Sequence, residues 1–424
     1  MTARKRRGIG VVAAAAVAGL VAAMVTPAVG GASAPRAVSI GKTITVGGIG
    51  YAKTFGNDAP VGAQARLQRA NETNEVKGYT FEFKGMADDN NDPNTALSEA
   101  RRLVSQEGAV AIVPDVSVVP PTDYLAQSQI PSFGPGYSTA YCPAAPSTSW
   151  DFGTYGCLVS ENPKVVPSTN FLLLKKSLAE KGVKSPTIAL FGTDSTSGKI
   201  SVQGLASAAQ AAGFKVVYAK GGFPAPPTVV GDYAPYAQEL LTANGGNAPD
   251  AIYSSVAPAS SLALFNLLES QGYSGTILSP FYSALLLNAL KDSYVYVQFS
   301  GFESNTPAIQ QMLKDVQAVK PDAPKTIALV GGYYSADLFI QAVKTALKAN
   351  KTLTTASIQK AMQKTSYQVK GAVGPTTWPT AFKVGNGCAT LLYDDGTAFA
   401  ISQPYTCNTN YAKVDPKFTG GYPK

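Results

Sequence analysis

Hydrophobic and polar positions along the chain change repeatedly between the period of a strand and the period of a helix. Residues 43–49 form a short β-type run, residues 58–74 have the helical period, and residues 79–86 alternate as a half-buried strand does. Asp92 followed by Pro93 is typical of an N-cap and a first helical position, so a helix is predicted over residues 92–106. Further elements are predicted at 109–113 (strand), 121–129 (helix) and 131–133 (strand).

The same alternation returns in a second stretch of the chain. Strands are predicted at 187–191, 215–219, 251–253 and 276–279, and helices at 165–181, 196–212, 233–243 and 258–272. Strands that alternate with helices of this length are typical of parallel sheets. Two such stretches predict an α/β fold with two lobes.

The last part of the chain has a different pattern. Helices are predicted at 307–319, 326–348 and 355–364. Strands at 388–393 and 397–402 flank Asp394-Asp395-Gly396, which is a hairpin turn signal. Ligands of open α/β sheets bind beyond the carboxyl ends of the strands. The loops expected to hold a site are therefore 50–58, 114–121, 134–157, 192–198, 254–259 and 280–283.

The N-terminus has the pattern of an export signal. Residues 4–7 are basic, residues 8–25 are apolar, and Ala32-Ser33-Ala34 is an A-x-A cleavage site, so residues 1–34 are predicted to be a signal peptide. An uncleaved membrane anchor is an alternative, because the apolar run is nearly long enough to span a bilayer. Arg6-Arg7 is a weak match to a twin-arginine signal. No cysteine precedes Cys142, so we expect no lipid-modified N-terminal cysteine and a periplasmic, cell-envelope or secreted location.

Composition narrows the classes of function. With 424 residues, 45% of them hydrophobic, the chain can build two or more domains. It contains no histidine, which excludes Ser-His-Asp catalysis and imidazole metal sites. Residues 4–7 supply four of the eight net positive charges, and 8 − 4 leaves +4 with no basic cluster, so nucleic-acid binding is not expected.

The four cysteines form two local pairs. They are Cys142, Cys157, Cys388 and Cys407, and three connectivities are possible. Pairing 142 with 157 and 388 with 407 closes the shortest loops, whereas four free thiols are less expected in an oxidising compartment. Neither pair has the spacing of a zinc site.

Nucleotide and metal motifs fail at specific positions. Gly48 and Gly50 begin a dinucleotide pattern, but Lys53 stands where its third glycine is required. Residues 192–199 resemble a phosphate-binding loop with one residue too many, and Ile200 replaces the Ser or Thr. The acidic run 88–92 lacks the Gly and Glu of a calcium loop and indicates a solvated turn before a capped helix. We therefore expect no cofactor and no metal.

Several short strings, taken in order, resemble one known family. They are Ile44-Thr45-Val46-Gly47, Ala87-Asp88-Asp89 with Asp92-Pro93, Ile130-Pro131-Ser132-Phe133-Gly134-Pro135 and Gly374-Pro375-Thr376-Thr377-Trp378. The chain resembles the type I periplasmic binding proteins, in their leucine/isoleucine/valine-binding branch. The resemblance implies two Rossmann-like lobes joined by three hinge crossovers, with the ligand in the cleft between them.

The resemblance also implies domain boundaries. Crossovers are expected near 160–163, 300–304 and 365–370. The N-lobe is then expected to comprise 43–161 plus 303–366, and the C-lobe 162–302 plus 367–424.

Ligand contacts follow from the same resemblance. The family holds a ligand carboxylate with a Ser hydroxyl and backbone N–H groups, and Val116-Ser117 and Tyr137-Ser138 match these places. Its amino-acid binders carry an acidic residue after the strand at Ile277, where this chain has Phe281. A buried ammonium without a counter-charge is costly, so this departure disfavours an α-amino acid. The expected ligand-contact residues are Tyr51, Phe55, Val116, Ser117, Tyr137, Ser138, Ser197, Ala257, Phe281 and Tyr282.

The aromatic residues of this set, with Tyr141, indicate a pocket for a less polar ligand, although any one of them is equally explained as part of the core. The function implied is a monomeric, non-enzymatic receptor of an ABC importer. It would bind a small amino-acid-like, carboxylate or aromatic ligand by hinge closure and pass it to a membrane permease. The alternative is an extracellular sensor or scavenger of the same fold. An enzyme based on Asp88, Asp89, Asp194 or Asp250 is disfavoured, because caps and turns explain these acids.

Overall fold

A computed structural model describes residues 37–52, 58–224, 228–256, 258–350, 352–408 and 411–423. The predicted signal peptide and the predicted contact residues Phe55 and Ala257 lie outside these ranges. The α-helices are α1 (Ala59–Glu72), α2 (Pro93–Arg101), α3 (Thr122–Gln127), α4 (Thr169–Glu180), α5 (Thr196–Ala211), α6 (Ala234–Leu241), α7 (Pro258–Ser270), α8 (Pro307–Val319), α9 (Ile327–Ala349) and α10 (Thr355–Met362).

The strands follow the same order along the chain. They are β1 (Thr43–Gly50), β2 (Thr80–Asp88), β3 (Ala111–Val116), β4 (Ser132–Gly134), β5 (Asp151–Gly153), β6 (Val165–Val166), β7 (Thr187–Thr193), β8 (Lys215–Phe223), β9 (Ala251–Ser254), β10 (Thr276–Ser279), β11 (Tyr294–Val297), β12 (Ser366–Val369), β13 (Val373–Thr377), β14 (Cys388–Asp394), β15 (Phe399–Cys407) and β16 (Ala412–Lys413).

Two large sheets organise the molecule. The first has the order β2-β1-β3-β4-β5, and all its strands are parallel. The second has the order β15-β14-β11-β10-β9-β7-β8, parallel from β11 to β8 and antiparallel at β14 and β15. The predicted α/β fold with parallel sheets is confirmed. The late antiparallel strands β14 and β15 complete the second sheet.

Helix starts follow the capping chemistry of the sequence. Asp92 accepts a hydrogen bond from the Thr95 amide at 2.7 Å and Pro93 opens α2, as predicted. The α-helical hydrogen bonding ends at Arg101, and the predicted remainder is a π-helical turn, Arg102–Gln106. The helix predicted over residues 165–181 begins only at Thr169, because Pro167 keeps Val166 in an extended conformation within β6.

Helices α8 and α9 follow β11 of the second sheet in sequence but pack with the first sheet. Helix α9 lies against α1 and against β3 and β4, and its buried side chains join the core of the first sheet. Helices α1 and α9 approach closely at Gly62 of α1, where an added Cβ would collide with the Leu329 carbonyl of α9. The chain therefore returns to the first sheet after completing most of the second. Separate cores lie on the two faces of the second sheet, one under α4 and α5 and one under α6 and α7.

The cysteines form two disulfides, Cys142–Cys157 and Cys388–Cys407. Of the three connectivities open from sequence, the structure has the one that closes the shortest loops. Cys388 and Cys407 face each other across the antiparallel pair β14 and β15. No helix in the described ranges combines the length and apolar character needed to span a bilayer.

Candidate ligand-binding cavity

A cavity of about 430 Å³ lies between elements of the two sheets. Its volume falls within the range of ~300–1,000 Å³ that is typical of small-molecule sites. Its described lining residues include no Asp, Glu, Lys or Arg. The walls are therefore apolar, with a few hydroxyl and amide groups, and any charge inside has to come from the ligand.

The first wall belongs to the elements around the first sheet. Val118 follows β3, Tyr137 follows β4, and Ile327 is the first residue of α9. Leu158 joins them directly after the disulfide-bonded Cys157. Tyr137, Leu158 and Ile327 pack against the core of the first sheet, so this wall is anchored from behind.

The second wall is built mainly by one face of α5. Ile200, Gly204 and Ala208 are spaced by four residues and so lie on the same side of the helix. Gly204 is opposite Val166, because an added Cβ would lie 3.2 Å from Val166 Cγ1. The small residues at 204 and 208 leave an apolar recess in this wall. Thr169, Asn170, Cys388 and Ala389 extend it toward the start of α4 and of β14.

A row of polar groups lies at the carboxyl end of β11. Tyr296 and Gln298 are two positions apart, so they point to the same side of the chain. The Tyr296 hydroxyl lies 3.2 Å from the Tyr253 hydroxyl, and the Tyr137 hydroxyl lies 3.5 Å from Gln298 Oε1. Burial raises the pKa of Tyr137, Tyr253 and Tyr296. The phenols therefore remain protonated at neutral pH and keep their donor capacity.

Two of the predicted contact residues, Tyr137 and Phe281, line this cavity. Tyr282 instead lies in the core: its hydroxyl donates to Glu303 Oε1 at 2.7 Å and its ring stacks on Phe302. Adjacent residues of an extended segment point to opposite sides, which explains why Phe281 and Tyr282 separate.

The other described residues of the predicted set lie outside the cavity lining. The Ser117 hydroxyl is already engaged, since it donates to Asp89 Oδ2 at 2.5 Å. Val116 and Ser138 are buried near the carboxyl ends of β3 and β4. Ser197 is exposed at the start of α5, and Tyr51 is half-buried after β1.

Sequence reasoning did not identify several residues of the cavity. Asn170, Tyr253, Tyr296 and Gln298 were outside the predicted contact set, as was the α5 face. One signal was present in the sequence: small residues recur four positions apart at Gly204 and Ala208, which can open a groove along a helix. The rule that ligands bind beyond the carboxyl ends of strands points to loops and not to the faces of helices.

Buried carboxyl groups lie beneath the loops of the first sheet. Asp89, Asp115 and Asp151 are each at most 2% exposed. Asp115 accepts hydrogen bonds from the Ser132 hydroxyl at 2.7 Å and the Ser117 amide at 3.1 Å. Burial raises the pKa of Asp115 to about 7, and the Asp89 carboxylate adds to the rise. No group of acidic or cysteine side chains in the described ranges has the arrangement of a metal site.

The raised pKa of Asp115 predicts a pH dependence of stability. A carboxyl whose pKa is higher in the folded state binds more protons there, so its stabilisation is present at low pH and is lost as the pH rises through about 7. We expect the free energy of unfolding to be greater at pH 5.5 than at pH 8 by on the order of 1 kcal/mol. Urea unfolding of the wild type and of Asp115→Asn at both pH values measures this. An equally steep pH dependence in Asp115→Asn would refute the assignment.

Comparison with known proteins identifies the family. A family model described as periplasmic binding protein matches residues 37–395, which is most of the chain. The chain belongs to the periplasmic binding protein family. The resemblance stated from the sequence is thereby confirmed.

Solved structures of periplasmic binding proteins share the fold of this one. A fatty acid ABC transporter substrate-binding protein from Thermomonospora curvata is 19% identical with a TM-score of 0.68, covering 89% of this chain and 96% of that one. A solute-binding protein from R. palustris in complex with benzoate is 15% identical with a TM-score of 0.63, covering 87% and 98%. A branched-chain amino acid ABC transporter from Thermus thermophilus with bound valine is 15% identical, also with a TM-score of 0.63, covering 87% and 96%. No curated protein sequence matches the chain.

This periplasmic binding protein is therefore a solute-binding receptor, and its family has an extracytoplasmic location. The cavity between its sheets lies where the fold places a ligand, because the loops after parallel strands converge there. The residues that line the cavity, rather than the fold, determine which ligand the protein binds.

Proposed function

We propose that the protein binds an apolar or aromatic small molecule without positive charge and delivers it to the permease of an ABC importer. One observation carries this proposal: no charged side chain is found among the described residues that line the cavity. An ammonium group brought into such a site would lose its hydration without gaining a counter-ion, which costs several kcal/mol.

The polar groups of the cavity fit a ligand with few polar atoms. The hydroxyls of Tyr137, Tyr253 and Tyr296 and the amide of Gln298 lie on one side, while the α5 face is apolar. A few placed polar groups within an apolar site fix the orientation of a ligand, and burial of its apolar surface supplies the affinity. Phe281 lines the cavity. By the family resemblance it occupies the position at which amino-acid binders carry an acid, and this favours the same ligand class.

Two structural neighbours support this ligand class, because one is named as a fatty acid binder and one holds benzoate. The neighbour with bound valine represents the competing class, an α-amino acid. The two classes differ in the ammonium group, so direct binding measurements separate them.

Delivery to a permease requires a signal that the receptor is loaded. We propose that the two lobes close about their three connections when ligand fills the cavity. Ser160 and Pro163 belong to the first expected connection and line the cavity, so a bound ligand would contact the hinge itself. Uptake measured with a cognate permease tests the coupling, and uptake that does not depend on the receptor would favour a sensor or scavenger.

A ligand panel tests the proposed specificity. We expect aromatic acids or alkanoic acids to raise the thermal unfolding midpoint, and leucine, isoleucine and valine to leave it unchanged. At a ligand concentration 100 times Kd, the gain in stability is about 2.7 kcal/mol, which differential scanning fluorimetry resolves readily. Stabilisation by the branched-chain amino acids alone would contradict the proposal.

A further inference from the structure

The Asn170 side chain is largely buried and presents an unpartnered amide to the cavity. Asn170 is only 8% exposed and lines the cavity. Within the described part of the chain its amide makes no hydrogen bond. The amide is not among the fully enclosed unpartnered atoms of the described residues, so it opens into the cavity, where a ligand can complete its hydrogen bonding.

Asn170 also occupies the first turn of α4, and that turn has no side-chain cap. The N-cap residue Ser168 makes no capping hydrogen bond, and the Thr169 hydroxyl donates away from the turn, to the Gly387 carbonyl at 2.6 Å. The first N–H groups of a helix have no partner within the helix. In α4 these N–H groups remain available to another acceptor. The N-terminal end of the 12-residue helix also brings the partial positive charge of the helix dipole to the site.

The alternative place for an anionic ligand group is blocked. The family resemblance assigns a ligand carboxylate to the loop at Ser117. There the Ser117 hydroxyl donates to Asp89 and its amide donates to Asp115. Both donors are in use, and the buried Asp89 carboxylate beside them would repel a ligand anion.

We propose that Asn170 and the first turn of α4 bind the carboxylate of the ligand, while its apolar body lies along the α5 face at Gly204 and Ala208. The inference rests on the proposed function and makes it more specific. The ligand class is an apolar monocarboxylate, aromatic or alkyl, with no amino group. No acidic side chain among the described lining residues opposes an anion there, and helix N-termini are established anion sites.

The substitution Asn170→Asp tests the inference directly. It would place a negative charge beside the ligand carboxylate, yet an acid in the first turn of a helix favours folding. The probes are benzoate, phenylacetate and octanoate, each with its primary amide, titrated by isothermal calorimetry. For the acids that bind wild type, we expect Asn170→Asp to weaken affinity roughly 10- to 100-fold, the range of a lost charge-assisted hydrogen bond. The amides should lose much less.

Asn94→Asp provides a matched control. Asn94 is the second residue of α2, as Asn170 is of α4, but it is exposed and lies away from the cavity. We expect this variant to bind every probe as wild type does. Asn170→Leu, which removes the hydrogen bonds without adding charge, replaces Asn170→Asp as the deciding variant if the latter fails to fold.

The outcomes separate this inference from the proposed function. Acid binding that is unchanged in the folded Asn170 variant overturns the carboxylate site and leaves the apolar specificity intact. A wild-type protein that binds the amides but not the acids also overturns the carboxylate site and leaves the apolar specificity intact. Failure of every apolar probe, with binding of leucine or valine, overturns both.

Discussion

Replacement of Gly204 by leucine is expected to abolish binding of the apolar ligand, with a loss of affinity of at least 100-fold. The new side chain would enter the recess between α5 and Val166, where even a Cβ lies 3.2 Å from Val166 Cγ1. The leucine side chain adds four carbons, so about four carbons of the ligand can no longer be buried in the recess. Each buried methylene contributes about 0.8 kcal/mol. Four of them amount to ~3 kcal/mol, or a factor of more than 100. Calorimetric titration with the tightest acid of the panel measures the effect.

Two further variants on α5 give the controls for this result. Lys199→Leu adds the same side chain at an exposed position of the same helix and should bind as wild type does. Gly204→Ala adds only a methyl group and should give an intermediate loss. Leucine in place of glycine raises helix propensity by ~0.8 kcal/mol, which partly offsets the crowding against Val166. Circular dichroism and the thermal unfolding midpoint establish that the variant is folded before it is titrated. A Gly204→Leu protein that binds with wild-type affinity would place the ligand outside the recess.

Replacement of Arg66 by methionine is expected to lower the free energy of unfolding by roughly 3–5 kcal/mol, the cost of breaking a buried ion pair. Arg66 is 4% exposed and lies in the interface between α1 and α9. Its Nη2 is 2.8 Å from Glu75 Oε2, and its Nε is 2.5 Å from Asp337 Oδ1. Without the guanidinium, both partly buried carboxylates lose this counter-charge. Urea denaturation followed by circular dichroism measures the loss.

Arg69→Met is the matched control, since Arg69 lies on the same helix and also faces an acid. Its side chain is 37% exposed, and its Nη1 is 3.5 Å from Asp315 Oδ2. Asp315 is buried but keeps the hydrogen bonds that it accepts from Tyr333 and Gln311, so the expected cost is about 1 kcal/mol. An Arg66→Met protein no less stable than Arg69→Met would show that the buried pair contributes nothing net.

The Glu75 carboxyl of the Arg66 cluster contributes a pH dependence of stability whose direction can be predicted. Burial opposes the shift, but Arg66 and Lys344 together lower the pKa of Glu75. A carboxyl with a lowered pKa contributes stability above its unfolded pKa, and that contribution is lost as the pH falls. The cluster therefore stabilises the fold more at neutral than at acidic pH. Asp115 has the opposite effect, since its contribution is lost as the pH rises.

The main elements could be predicted because each long strand and helix carries its own period. Strand β10 was predicted at its observed bounds, and α8 likewise. Strands β5 and β11 were missed because the strand–helix alternation does not lead to them: β5 lies inside the loop predicted at 134–157, and only short 3₁₀ turns separate β11 from β10. The β12–β13 hairpin was also missed, since the sequence gives it only short runs around a turn at Gly371.

The cavity was only partly predictable for a geometric reason. The rule that ligands sit beyond strand ends led to the loops that carry Tyr137 and Phe281, and both line the cavity. The same rule is silent on helix faces and on how a chain rotates after a strand. It therefore could not find Asn170 or Gly204, and it did not anticipate that Tyr282 turns into the core.

The spacing of the disulfides bears on how the chain matures. The bonded cysteines are 15 and 19 residues apart in sequence. A polypeptide that crosses a membrane unfolded emerges with its N-terminus first, so Cys157 follows Cys142 within moments, and Cys388 arrives much later. The first bond can close before any competing thiol is present, and the second pair then has only each other. For a chain exported in that way, the order of translocation favours the connectivity that closes the shortest loops, which is the one found here.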